Sequence, residues 1–123
     1  MAWIRACGGG TPTPTELDLN NKDSSWWSSI GNASVNPIRL NPSGAISKND
    51  VDLSKYSQIV YDFTSGSTSV YFQINGATIQ QINADSRKSG SINISSYTQT
   101  GTFRIAVSYD SYLTTFYTLK LVP

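Results

Sequence analysis

Apolar residues in this chain recur at every second position over short stretches, and no window of eleven or more residues carries a 3.6-residue apolar repeat. Successive side chains of a strand point to opposite faces, whereas a helix needs apolar positions three and four apart. The pattern therefore selects strands and excludes substantial helices. The clearest stretch is Phe103–Tyr109, with Phe103, Ile105, Val107 and Tyr109 on one face and Arg104, Ala106 and Ser108 on the other. Thr115–Val122 reads as its hairpin partner across Asp110-Ser111, with Tyr117, Leu119 and Leu121 inward. Val70–Asn75 places Val70, Phe72 and Ile74 together, and Asn75-Gly76 tolerates the positive φ of a type I′ turn before Ala77–Ile82 returns. Ile79 and Ile82 differ in parity, which calls for a bulge or a shifted register. Gln58–Phe63, Ser91–Ile94, Ser34–Leu40 and Gly44–Ser47 complete eight expected strands, and Pro37 confines Ser34–Leu40 to an edge. Helix is expected only as a turn at Leu53–Tyr56. The fold class is all-β, an antiparallel two-sheet sandwich.

Residues 8–15, GGGTPTPT, cannot form a regular helix or a central strand. Residues 1–15 therefore read as a flexible N-terminal arm, and residues 16–123 as one sandwich domain, since 123 residues fill a single core. A secretory signal needs an apolar stretch of about 7–15 residues. Arg5 interrupts the short run near the start, so no signal peptide is expected. No segment approaches the ~20 apolar residues of a membrane span, and no membrane insertion is expected. Cys7 is the only cysteine and cannot form an intrachain disulfide. The composition suits an extracellular or particle-exposed domain, reached by lysis or by assembly into a particle.

Histidine is absent, which removes histidine-based triads, histidine metal sites and histidine pH switches together. Hydroxyls abound, with 19 Ser and 12 Thr, but none has an evident base. Asp50, Asp52 and Asp62 are not fixed in pairs across a cleft, and Asp85 and Asp110 sit in turns, so no glycosidic acid–base pair is indicated. The chain reads as a non-enzyme. Its formal charge of +1 supplies no strong field for nucleic acid. Arg87-Lys88 is the only adjacent basic pair, and Arg104 and Lys120 are expected to face acidic partners. Asn49, Asp50 and Asp52 crowd oxygen atoms before the Leu53 turn, and two readings stand: a structural calcium site, or turn formation through side-chain-to-backbone bonds. No other cofactor is indicated.

Recognition rests on aromatic residues. If Trp26-Trp27 is extended, its rings point to opposite faces, so that one anchors the sandwich while the other stacks on a sugar or a neighbouring subunit. The alternative is that both cover the bottom of the sandwich or pack under the 8–15 arm. Tyr71 and Gln73 face away from Val70, Phe72 and Ile74, toward solvent with Gln80, and Tyr109 and Tyr112 flank a turn at one end. These six residues, Trp26, Trp27, Tyr71, Gln73, Tyr109 and Tyr112, are the candidate ligand-binding set.

VDLSKYSQIVYDF (Val51–Phe63) and SGSINISSYTQTGTFRIAVSY (Ser89–Tyr109) are similar to segments of jelly-roll modules that resemble carbohydrate-binding domains. In the first, an Asp-Leu-Ser turn ends in an aromatic and launches a strand of bulky residues. In the second, a short strand, a Ser-aromatic turn and a glycine precede a long strand. The resemblance spans roughly residues 24–122 and implies a jelly-roll arrangement. It also implies a setting among bacterial surface proteins, glycan-degrading enzymes or bacteriophage tail and baseplate proteins, the glycine-rich leader looking most like the phage setting. The function expected is a structural or adhesion module of a phage tail or extracellular assembly that touches a surface glycan. The alternatives are a stand-alone carbohydrate-binding module and a purely structural domain that forms a homo-oligomer.

Overall fold

The computed structural model describes residues 15–65, 68–84, 86–108 and 113–123. The expected arm, apart from Thr15, lies outside these residues, as do Cys7, Asp85, Tyr109, Tyr112 and the Asp110-Ser111 turn.

The strands are β1 (Leu17–Asp18), β2 (Ser29–Ser34), β3 (Arg39–Asp52), β4 (Gln58–Thr64), β5 (Thr68–Ile74), β6 (Ala77–Ala84), β7 (Arg87–Asn93), β8 (Thr100–Val107) and β9 (Thr114–Val122). Single 3-10 turns occupy Leu19–Asn21 and Leu53–Lys55. All pairings are antiparallel, in the order β6-β5-β8-β3-β9-β4-β7, with β2 on β3 and β1 on β9. One layer is thus β6-β5-β8-β3-β2 and the other β7-β4-β9-β1. They join at a corner where β3 meets β9 through two residue pairs, Arg39 with Thr115 and Leu40 with Thr114. The result is a jelly-roll-like, nearly closed sandwich. Its core interleaves Val70, Phe72, Phe103 and Ile105 from the first layer with Ile59, Phe63, Phe116 and Leu119 from the second. Phe72 meets Phe116 edge-on across the layers at 6.5 Å.

Several local expectations hold. Asn75 and Gly76 have φ of 54° and 82°, as a type I′ turn requires. Phe72 pairs with Gln80 and Gln73 with Thr78, so Ile79 is the unmatched residue that resolves the parity conflict with Ile82.

Three expectations are corrected. β8 and β9 are consecutive but unpaired: β8 lies between β5 and β3, and β9 pairs chiefly with β4. Alternation identifies the buried face of a strand and not its neighbour, and here the two apolar faces meet across the core. Tyr117 is half exposed at 50%, whereas Phe116 is buried. Asp62 pairs with Thr118 and Phe63 with Phe116, leaving Tyr117 as a bulge that shifts the apolar phase of β9. Ser34–Leu40 is no edge strand, because Asn36 has a φ of 61° and Pro37 offers no N–H, so the chain turns there from β2 into β3. Gly44–Ser47 belongs to the long β3.

Candidate functional site

The outer face of the β6-β5-β8-β3-β2 layer is built by strict register. Tyr71 lies opposite Ala106, Ala106 opposite Ala45, and Ala45 opposite Gly31. One step along the strands, Gln73 lies opposite Arg104, Arg104 opposite Ser47, and Ser47 opposite Ser29. Two parallel rows therefore cross four strands: a row of small side chains ending at a tyrosine, and a row of hydrogen-bonding side chains. The small row lowers the floor, and a depression of about 340 Å³ opens among Ser29, Gly31, Asn32, Ser43, Ser47 and Arg104. Asn32 and Ser43, both at positive φ (48° and 62°), form its rim.

Polar groups on this face are held in place. The Arg104 guanidinium donates to Gln73 Oε1 at 2.6 Å, and Gln73 Nε2 donates to Thr78 Oγ1 at 3.1 Å. Among the described residues Arg104 has no carboxylate partner, contrary to the expectation, while Lys120 does face Glu16 at 3.0 Å. Beyond Tyr71, Gln81 Nε2 donates to Ser69 Oγ and Asn83 Oδ1, both at 3.2 Å. Such a face offers flat carbon surface beside fixed donors and acceptors, which suits a polyhydroxylated ligand better than an apolar one.

Trp26 ends a turn and Trp27 follows it, neither of them in a strand. Asp23 Oδ1 organises that turn by accepting from Ser25 N (3.1 Å), Ser25 Oγ (2.6 Å) and Trp26 N (3.2 Å). The Ser25 hydroxyl, with backbone bonds from Trp26 and Ser25, holds the Asp23 carboxyl below the ordinary carboxylate range. Trp27 belongs to the core, Trp26 is half buried, and their rings meet edge to face at 5.0 Å and 89°. The two rings thus occupy different environments, but the turn separates them and strand alternation does not. Lys22 Nζ and Lys48 Nζ lie 5.5 and 4.8 Å from the centre of the Trp26 ring. Among the described residues none lines both this surface and the depression beside Arg104, so Trp26 and the Tyr71–Gln73 pair form two separate places.

Asn49 and Asp52 bond to their own chain. Asp52 Oδ1 accepts from Ser54 N at 3.2 Å and from the Ser54 hydroxyl, capping the 3-10 turn, and the Ser54 hydroxyl holds its carboxyl below the ordinary range. Asn49 Oδ1 accepts from Thr102 Oγ1 at 3.2 Å, and Asp50 adopts a φ of 60°. No group of three or more His, Cys, Asp or Glu that could hold a metal occurs among the described residues. Asn49 Oδ1 and Asp52 Oδ1 thus each accept hydrogen bonds from within the chain.

Asp62 lies on the outer face of the other layer, where the Arg87 guanidinium donates to both its oxygens at 2.9 and 2.8 Å. Those bonds and the adjacent positive charge lower the Asp62 pKa, against slight desolvation. A carboxylate whose folded pKa is depressed stabilises the fold above its unfolded pKa, about 3.9, and loses that contribution as pH falls through the folded value. The stability difference between the wild type and Asp62→Asn should therefore narrow below about pH 4. Urea unfolding at stepped pH measures it, and a difference constant across that range would remove the pair from the acid response.

Sequence reasoning located Tyr71 and Gln73 but missed the row that extends them, Arg104, Ser47 and Ser29, with Ala106, Ala45 and Gly31 beside it. The alternation of small residues in Ser29–Gly31 and Ala45–Ser47 is the signal that marks a lowered sheet face.

This arrangement has the fold of carbohydrate-binding modules. No family model matches the sequence, and no curated protein sequence does. Among solved structures, the chain is similar to the CBM51 module of GH95 from Clostridium perfringens in complex with methyl-galactose, with a TM-score of 0.62 and 14% identity, over 88% of this chain and 100% of that one. It is also similar to a CBM36 module in complex with calcium and xylotriose, with a TM-score of 0.60 and 15% identity, over 86% and 97% of the two chains. A third is the family 11 carbohydrate-binding module from Clostridium thermocellum in complex with a β-1,3-1,4-mixed-linked tetrasaccharide, with a TM-score of 0.57 and 17% identity, over 87% and 95%. At these identities the likeness is one of fold.

Proposed function

We propose that this domain is a non-catalytic glycan-binding module that takes a saccharide across the open face of the β6-β5-β8-β3-β2 layer. The observation that carries the reading is the double row: Tyr71 and a floor of Ala45 and Gly31 for the carbon face of a sugar, beside Gln73, Arg104, Ser47 and Ser29 for its hydroxyls. The sugar complexes of the three similar modules support it by analogy of fold. They favour a carbohydrate-binding module over a phage-tail part. The setting we propose is extracellular, where several copies held together turn weak sugar contacts into useful avidity.

Tyr71→Ala and Arg104→Ala should each weaken saccharide binding about tenfold, the equivalent of one lost charged hydrogen bond or stacking contact, while leaving the fold intact. A glycan array followed by calorimetry on the best neutral oligosaccharide reads the loss, and thermal unfolding verifies the fold. Wild-type binding by the double variant would overturn this placement of the site.

A further inference from the structure

We infer that the Trp26 turn is a second, charge-selective site, for the carboxylate-bearing sugar units of an acidic polysaccharide. It rests on the glycan-binding reading and adds to it a ligand class that the open face does not select. The depression beside Trp26 measures about 560 Å³, within the size range of small-ligand sites. Its lining is Asn21, Lys22, Asp23, Ser25, Trp26 and Lys48, with no aliphatic side chain among them. Among the described residues an apolar ligand therefore has only one ring to rest on, whereas a polar one has five polar or charged side chains to meet.

The cations decide the charge of that ligand. Two ammonium groups converge on one indole, at 4.8 and 5.5 Å from its centre, drawn by the ring quadrupole. Among the described residues neither lies within 4.0 Å of a carboxylate, whereas Lys55, Arg87 and Lys120 all do. Among the described residues the one acid in the lining is Asp23, and its Oδ1 already accepts three hydrogen bonds within the turn. Counting Lys22, Lys48 and Asp23, the pocket retains a surplus of one positive charge. A neutral sugar would have to displace the lysines to stack on Trp26. A uronate uses them, pairing its carboxylate with the ammonium groups. Asn21 Nδ2 and the Ser25 hydroxyl proton go to Asp18 and Asp23, so Asn21 Oδ1 and Ser25 Oγ are left to accept from its hydroxyls.

The ring itself is a fixed platform, since its edge-to-face contact with the buried Trp27 ties its orientation to the core. Nucleic acid is the less suited polyanion, because a repeating phosphate backbone needs a track of cations and the whole chain carries a formal charge of only +1.

The test uses the full chain and three probes: an oligogalacturonate, the same oligomer fully methyl-esterified, and a neutral xylo-oligosaccharide, with an oligothymidylate as a fourth arm. Calorimetry should show the acid form bound more tightly than its ester, with a preference that declines as salt is added. Lys22→Gln and Lys48→Gln should each reduce acid binding about three- to fivefold, as for exposed charge pairs, and together erase the preference. Both positions retain polar side chains, and near-ultraviolet circular dichroism verifies that the tryptophan pair is undisturbed. Equal binding of acid and ester, a preference that survives the double lysine variant, or tighter binding of oligothymidylate than of oligogalacturonate would each overturn the inference. If the acid is not preferred while the neutral oligosaccharide still depends on Tyr71, this site fails and the open-face reading stands.

Discussion

Phe116→Ala should destabilise the domain by about 3–5 kcal/mol, a large fraction of the 5–15 kcal/mol that typically holds a domain of this size together. The ring is 1% exposed, lies 5.1 Å from Phe63 on the adjacent strand β4, and meets Phe72 of the opposite layer edge-on at 6.5 Å. Tyr61 closes the same cluster at 5.7 Å from Phe63 and 5.5 Å from Phe72. Removing Phe116 opens a cavity where both sheets meet, and none of the three remaining rings can fill it without leaving its own contacts. The neighbouring residue supplies the control. Tyr117 stands on the bulge, half exposed, with the Arg87 guanidinium 4.3 Å from its ring centre. Tyr117→Ala should cost no more than about 1 kcal/mol, the scale of an exposed cation–π contact. Urea unfolding followed by tryptophan fluorescence compares the two. Equal losses at both positions would contradict the register shift between Asp62 and Phe63.

That contrast also marks what the sequence discloses. Phe103, Ile105, Val70, Phe72 and Ile74 sit in uninterrupted alternation, and each is buried as its parity demands. At Phe116-Tyr117 two large aromatics occupy successive positions, so either phase is self-consistent locally. Only pairing with β4 chooses between them. Strand neighbours are equally nonlocal, since β8 finds its partners in β3 and β5 and not in the β9 that follows it. The candidate site follows the same division. Tyr71 and Gln73 were legible because one strand sets their direction. Arg104, Ser47 and Ser29 joined them only through the registers of three further pairings. Trp27 is buried and Trp26 partly buried against the same core, and the cause lies in Asp23, whose side chain bends the backbone into a turn where alternation has no meaning.

Asn20 is the residue for which sequence gave no warning and for which the structure expects the second large effect. Its side chain is 5% exposed and stands at the corner where the layers join. Asn20 Oδ1 accepts from Ile38 N at 2.9 Å, and Asn20 Nδ2 donates to Phe116 O at 3.0 Å. Phe116 N in turn donates to Ile38 O at 3.0 Å, just before β3 and β9 begin to pair. The amide thus acts as an inserted peptide unit, satisfying one donor and one acceptor that the ladder leaves open. Asn20→Ala strips both partners from buried backbone groups, each worth about 1–3 kcal/mol when left unsatisfied, so a total loss of about 2–5 kcal/mol is expected. Asn20→Asp separates hydrogen bonding from volume. An ionised carboxylate can accept from Ile38 N but points its second oxygen at the Phe116 carbonyl, whereas a protonated one restores the donor. Burial and that carbonyl raise the pKa of the new carboxyl in the folded state. Between its unfolded and folded pKa the folded form binds the extra proton, so stability falls as pH rises above about 4. The difference between Asn20→Asp and wild type should therefore be large at neutral pH and shrink on acidification, the acid form retaining most of the corner. Denaturant unfolding at neutral and acidic pH measures both variants. A loss below about 0.5 kcal/mol for Asn20→Ala, within the range of an ordinary surface change, would show that the corner closes without this amide.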